Sequence, residues 1–252
     1  MWANISRLHP NIVTAPVFCY NDTMCNLYRP PTPAHLAEIA KRFGLPQSSS
    51  PHPAYGRVIT PLASGPFLTA AGVLVGQWGM IPPGATARTP RTRNGAPLST
   101  NNARCERMAS AWTYRGAWKA GKRCLIPALN FDEPNYESGR NVWFTLAPAK
   151  ADAWFLAGLY DMWTDPKTGE IVPNYTMITQ NCDGHPLLAR FHKPKPGFPP
   201  TAQDKRTVVP VDGEHARIWL EGTLDQAMAL IDVWPPEDFL AGPRQTMLPA
   251  QN

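Results

Sequence analysis

Cysteine 25 directly follows a methionine, in the stretch Met24-Cys25-Asn26-Leu27-Tyr28. If the chain starts at Met24, or is cut after it, Cys25 becomes the first residue and carries a free α-amine beside its thiol. That 1,2-aminothiol does chemistry closed to an internal cysteine. With an aldehyde the amine forms an imine, and the thiol then closes on the same carbon to give a five-membered thiazolidine. An α-amino pKa of about 7.7–8.0 leaves a neutral fraction at pH 7 for the first step. An internal cysteine offers only a reversible hemithioacetal. Residues 1–23 therefore read as a leader, either an upstream methionine counted into the chain or a pro-segment. The first is favoured, because they lack the patterned apolar positions that a docked pro-segment needs.

The rest of the chain must position this residue. Its 252 residues, 43% hydrophobic and 17% charged, suit one domain with a substantial core. No apolar run reaches the roughly 18 residues of a membrane span, and residues 1–23 make a poor secretory signal. Five cysteines without a C-x-x-C pair indicate neither a disulfide framework nor a zinc site, so a reducing cytoplasm is the default. Charge is concentrated: Arg88 to Arg123 holds nine basic residues and one acid, a net +8 in a chain of net +5. Trp112, Tyr114 and Trp118 are interleaved there. Cations for phosphates and flat rings for unstacked bases suit single-stranded nucleic acid. A solvated basic face beside core aromatics fits the same residues.

Thr32, Pro33 and the spacing of Leu36, Ile39, Ala40 and Phe43 predict a packing helix stopped by Gly44. Gln47 to Tyr55 reads as a loop. Strands are expected at Arg57–Leu62, Phe67–Val75, Gln77–Ile81, Arg123–Pro127, Val142–Leu146, Trp154–Tyr160 and Tyr175–Thr179. Arg88 to Thr100 reads as an exposed basic loop, Ser110 to Lys119 as a helix, and Asp165 to Gly169 as a turn. Glu214 to Ile231 suggests two short helices broken at Gly222. These elements make one α+β domain over residues 24–235: a bent or barrel-like antiparallel sheet with peripheral helices. Residues 236–252 read as a Pro-rich surface tail.

Seven motifs stand in order: Met24-Cys25-Asn26-Leu27-Tyr28, Trp78-Gly79-Met80-Ile81-Pro82, Asn102-Ala103-Arg104-Cys105-Glu106, Arg123-Cys124-Leu125-Ile126-Pro127, Phe131-Asp132-Glu133-Pro134, Ala157-Gly158-Leu159-Tyr160-Asp161-Met162-Trp163, and Ile178-Thr179 followed by His192. The series resembles the SOS-response-associated peptidase (SRAP) family, which handles abasic sites in DNA, from Met24 to about Leu220. The resemblance implies that Cys25 bonds covalently to the ring-opened sugar of an abasic site in single-stranded DNA, with Asn102, Glu133 and His192 completing the catalytic set. It implies no cofactor or metal, and Arg104 near the DNA backbone. Arg29, Arg107, Arg115 and Trp78, the last as a wedge between bases, are the further candidate DNA contacts, and a monomer is expected.

The residue types suit these roles. A carboxyl shielded between strands has its pKa raised toward neutrality, so Glu133 can take a proton from the attacking amine and return one to the departing hydroxyl. His192 can handle the ring oxygen as the sugar opens. Asn102 can donate to an oxygen and accept from an amine. Taken singly, each has a plainer reading: Glu133 as a turn carboxylate, Asn102 as a turn former, His192 as a loop histidine, Cys25 as a small buried hydrophobe, and Trp78 as core.

The chain also departs from the commonest family pattern. Asn26-Leu27 replaces Gly-Arg, with Arg29 as a possible substitute; Pro134 replaces Trp; Lys193-Pro194-Lys195-Pro196 replaces Arg-Met-Pro. Two other functions are open: a thiol peptidase using Cys25 and His192 on its own leader, and a non-catalytic single-strand binder.

Overall fold

The computed structural model describes residues 25–46, 54–151 and 154–247. The leader 1–23 and most of the expected 47–55 loop lie outside the described residues. In chain order the elements begin with β1 (Tyr28–Arg29), α1 (Pro33–Arg42), β2 (Ser64–Thr69), β3 (Gly72–Trp78), β4 (Asn102–Arg104), α2 (Cys105–Met108) and α3 (Arg115–Lys119). There follow β5 (Arg123–Ala128), β6 (Asn130–Asn135), β7 (Val142–Pro148), β8 (Trp154–Thr164) and β9 (Ile171–Asn181). The chain continues through β10 (Arg206–Val208), β11 (Pro210–Val211), α4 (Ala216–Glu221), α5 (Leu224–Ala229), β12 (Phe239–Pro243) and α6 (Arg244–Met247).

Five strands close a barrel in the order β9-β3-β2-β5-β8, with β8 returning to pair β9. The barrel is mixed, which corrects the all-antiparallel expectation. Trp78 of β3 runs parallel beside Tyr175 of β9, and Asn102 of β4 runs parallel beside Met177 of β9. Long connections separate these partners in sequence, so no hairpin forces them antiparallel. A second sheet, β1-β6-β7-β12, is antiparallel throughout.

Barrel strands are buried on both faces, which is why they read as continuous apolar runs. Leu68, Leu125, Ala157 and Ile178 pack with Leu36 and Ile39 of α1 and Trp219 of α4. Their neighbours Phe67, Ile126, Leu156 and Met177 pack with Tyr28, Trp78 and Phe131. Close approach is needed where β2 passes the buried Tyr28–Tyr175 hydroxyl pair: a Cβ on Gly65 would stand 2.4 Å from both oxygens.

Helix α1 follows its sequence signals. Thr32 accepts from the His35 amide at its start, and Gly44 takes φ +61° past its end. The split at Gly222 between α4 and α5 is as expected, with Thr223 and Gln226 forming a capping box.

Four expectations are corrected. Arg57–Leu62 forms only a bridge from Ile59 to Tyr28, since Pro61 and the left-handed Leu62 (φ +71°) end the pairing. Phe67–Val75 is two strands, because Thr69 bonds Ala71 and Gly72 in a turn that makes the β2–β3 hairpin. Helix α3 starts only at Arg115, after a turn in which Tyr114 reaches inward to donate to the Asn102 carbonyl (3.2 Å). Finally, residues 239–243 are no surface tail: β12 pairs residue for residue with β7, and Phe239 is buried.

Candidate active site

Strand β1 lies on β6 with Tyr28 opposite Phe131 and Arg29 opposite Asn130, and the Asp132 amide donates to the Leu27 carbonyl. Continuing that register upstream brings Asn26 alongside Glu133 and Cys25 alongside Pro134. From the other side, β4 is seated on β9 and aims its polar residues at the same segment. Asn102 Nδ2 donates to the Cys25 carbonyl at 2.8 Å, and Asn101 Nδ2 donates to Asn26 Oδ1 at 3.1 Å. The Cys25 thiol is buried and points its hydrogen at the Leu27 carbonyl (3.6 Å). Burial pushes its pKa up, and the nearby Glu133 carboxyl adds to the rise.

Glu133 is buried on β6 opposite Phe144. Neither of its oxygens has a hydrogen-bond partner among the described residues, and Asn102 Oδ1 is bare in the same sense. Burial, aided by the Asp132 charge, holds the Glu133 pKa well above the carboxylate range. His192 Nε2 stands 3.5 Å from Glu133 Oε2 and 2.9 Å from the Arg206 carbonyl. A carbonyl only accepts, so Nε2 carries the ring hydrogen.

The four residues expected to do the chemistry thus meet as two contacting pairs, Cys25 with Asn102 and Glu133 with His192. One donor, one carboxyl with its pKa pushed up by burial, one oriented imidazole and one thiol are all buried there. Such a set can relay a proton while a carbonyl carbon is attacked.

The expected DNA contacts fare unevenly. Trp78 is fully buried: its indole donates to the Asn101 carbonyl (2.8 Å) and packs edge-on against Tyr28. It supports the β4 end from behind, and its reading as a wedge between bases is corrected. Arg29 is likewise corrected as a free phosphate contact, since its guanidinium forks onto Asp132 and Asn130. Arg104 is part-exposed with its guanidinium on Asp204 at 2.8 Å. Arg107 and Arg115 are exposed, and Arg115 lies 4.7 Å over the ring of Trp112. Arg123, counted in the basic segment, is buried and caps the carbonyls at the end of α4.

Three residues escaped the sequence reading. Asp132 is fully buried and takes bonds from Arg29, Thr145 and Arg244. Its place beside Glu133 was visible, but Arg244 lay in what read as a tail. Lys205 and Arg206 follow a loop whose return to His192 has no local signal. Among the described residues, no group of three or more His, Cys, Asp or Glu side chains could hold a metal ion. No described helix is long and apolar enough to cross a membrane.

Comparison with known proteins gives this arrangement a context. A crystal structure of a protein from Bordetella bronchiseptica matches with a TM-score of 0.72 at 27% identity, over 87% of this chain and 99% of that one. A second, from Bacteroides thetaiotaomicron, shares the fold at 19% identity with a TM-score of 0.67, over 86% and 90% of the two chains. In sequence, the chain is 27% identical over 191 residues to the abasic site processing protein HMCES of Xenopus tropicalis, covering 68% of this chain and 52% of that protein. The Gallus gallus protein of the same name is 28% identical over 121 residues, 41% of this chain and 35% of its own. This chain thus spans about half the length of the frog relative. The description SOS response associated peptidase (SRAP) matches residues 24–241. With most of its length so matched and its fold shared, the chain belongs to the SRAP family.

Proposed function

We propose that this protein processes abasic sites in single-stranded DNA by covalent capture, with Cys25 as the first residue of the active form. The observation that carries the reading is the buried Glu133 carboxyl, bare of hydrogen-bond partners among the described residues and with its pKa pushed up by burial, near a cysteine whose main chain is held by Asn102. In the first step the Cys25 amine adds to the sugar aldehyde. The nitrogen loses a proton as Glu133 supplies one to the forming hydroxyl, and Glu133 is reprotonated. The hydroxyl then leaves as water with the Glu133 proton, and the nitrogen gives its remaining proton back to Glu133, leaving the imine. The thiol sulfur adds to the imine carbon, and its proton passes through Glu133 to the nitrogen. One water is lost and the thiazolidine closes. Asn102, anchored on Cys25, keeps its Oδ1 for the amine, and His192 serves the ring oxygen as the sugar opens. The names of the frog and chicken relatives agree with this substrate.

Single-strand DNA is the partner that suits the exposed Arg107, Arg115 and 88–100 loop, beside a Trp112 that is 58% exposed. The thiol peptidase reading is disfavoured, since burial raises the Cys25 thiol where a peptidase needs a lowered one.

The test is to express the chain from Met1 and from Met24, and to react each with an abasic oligonucleotide. The shorter version should form a heat-stable adduct whose mass is protein lacking Met, plus DNA, minus one water. The longer one should form none unless it is trimmed to Cys25. An equally stable adduct on an intact long chain would overturn the aminothiol mechanism.

A further inference from the structure

His192 has an unusual backbone. Its φ is +64°, in the left-handed region that a β-carbon disfavours. A residue turned this way sends its carbonyl out of any regular ladder, and the Phe191 and His192 carbonyls converge on one point. What stands at that point is the Lys205 ammonium, which donates to Phe191 O and, at 2.7 Å, to His192 O. Only a donor with several hydrogens can serve two carbonyls from one position.

Lys205 is itself buried, and desolvation lowers its proton affinity. The acids nearest in its field are engaged elsewhere. Asp183 accepts from the amides of Asp204 and Lys205, and Glu137 pairs with Arg190. A buried ammonium directed at two main-chain oxygens, paired with no carboxylate among the described residues although Asp183 and Glu137 act on it from a distance, is costly to keep for packing alone.

The neighbouring residue completes the hold. The Arg206 carbonyl accepts from His192 Nε2 (2.9 Å), while the His192 amide donates to the Pro134 carbonyl (2.7 Å). The Arg206 guanidinium bonds both Glu106 oxygens and the Thr179 carbonyl, which ties the same point to α2 and β9. Gln203 closes the intervening loop through Lys195, Phe198 and Pro199, and so delivers Lys205 back to residue 192.

We propose that Lys205 is a positioning residue that locks His192 in its left-handed conformation, and with it the ring against Glu133. The chemical consequence rests on the assignment of His192 to the abasic-site reaction; the conformational one does not.

Two measurements separate these. In nitrogen and carbon NMR of the full chain, the His192 ring should show a single slow-exchanging Nε2–H tautomer. Lys205→Met should broaden or shift that signature while the fold, judged by amide spectra, persists. Lys205→Gln, which keeps a donor, should fall between the two and serves if Lys205→Met does not fold. In the version starting at Met24, Lys205→Met should slow adduct formation or reversal by about tenfold to a hundredfold, with single-strand affinity unchanged. It should add nothing in a His192→Ala background. An unchanged His192 signature in a folded Lys205 variant overturns the proposal, as does an additive loss in the double variant. If His192→Ala alone leaves the reaction untouched, the role of His192 falls, and the NMR arm still decides Lys205.

Discussion

Two buried carboxylates sit side by side on β6 and live in opposite environments. Asp132 faces one side of the strand, where Arg29 supplies two hydrogen bonds, Thr145 one and Arg244 another. Glu133 faces the other side, where neither oxygen has a hydrogen-bond partner among the described residues and His192 stands off at 3.5 Å. Burial is nearly the same for both. The difference lies in compensation: two guanidiniums and a hydroxyl meet the Asp132 oxygens, whereas desolvation, aided by the Asp132 charge, pushes the Glu133 pKa well above its ordinary value. Period-two alternation along a strand thus lets adjacent residues face opposite surroundings, one met by guanidiniums and one left bare.

The comparison breaks most sharply at Glu133. Glu133→Gln keeps the shape and removes the exchangeable proton, so adduct formation from the Met24 start should slow by about 10²–10⁴-fold. Single-strand affinity should hold. A rate within a few-fold of wild type in a quench time course would place the proton relay elsewhere.

Asp132→Asn tests the other half. It leaves two arginines, one of them largely buried, facing a neutral amide, and breaking such a pair costs about 3–5 kcal/mol. Urea unfolding should show this as a lowered midpoint. Arg244→Ala should cost less, since Arg244 is 35% exposed and Arg29 remains.

The pH dependence of stability sharpens the contrast. Glu133 has a folded pKa raised above its ordinary 4.5, so the stability it contributes is full below that value and is lost as pH rises through the folded pKa. Between those two values wild type should lose about 1.4 kcal/mol per pH unit relative to Glu133→Gln. The melting temperature of the Gln variant should therefore overtake that of wild type as pH rises. A constant difference from pH 4 to 8 would mean Glu133 is ionised in the folded protein.

The smallest effect is expected where charge is exposed. Arg107→Ala should weaken single-strand binding alike for all sequences and reduce the salt slope by about 1. An unchanged slope would remove Arg107 from the interface.

Much of this was legible along the chain. The helix from Pro33 and the break at Gly222 rest on local spacing, capping and residue type, which the sequence carries in full, whereas the choice of Cys25, Asn102, Glu133 and His192 rests on the resemblance of the ordered motifs to the SRAP family. The partners of those residues were not. Trp78 reads as core, or as a wedge between bases, until the β3–β9 pairing buries it, and Arg29 reads as a phosphate contact until β1 docks on β6 beside Asp132. Arg244 looked like tail because nothing near Pro243 says that β12 will close the second sheet. The physical reason is common to all three. Residue type and period determine which side chains can bury or ionise, whereas the sign and cost of a buried charge depend on neighbours brought from a hundred residues away. The sequence by itself determined which carboxylates could be buried; only the tertiary structure decided that Asp132 would be met by Arg29 and Arg244 and that Glu133 would be left without a hydrogen-bond partner among the described residues.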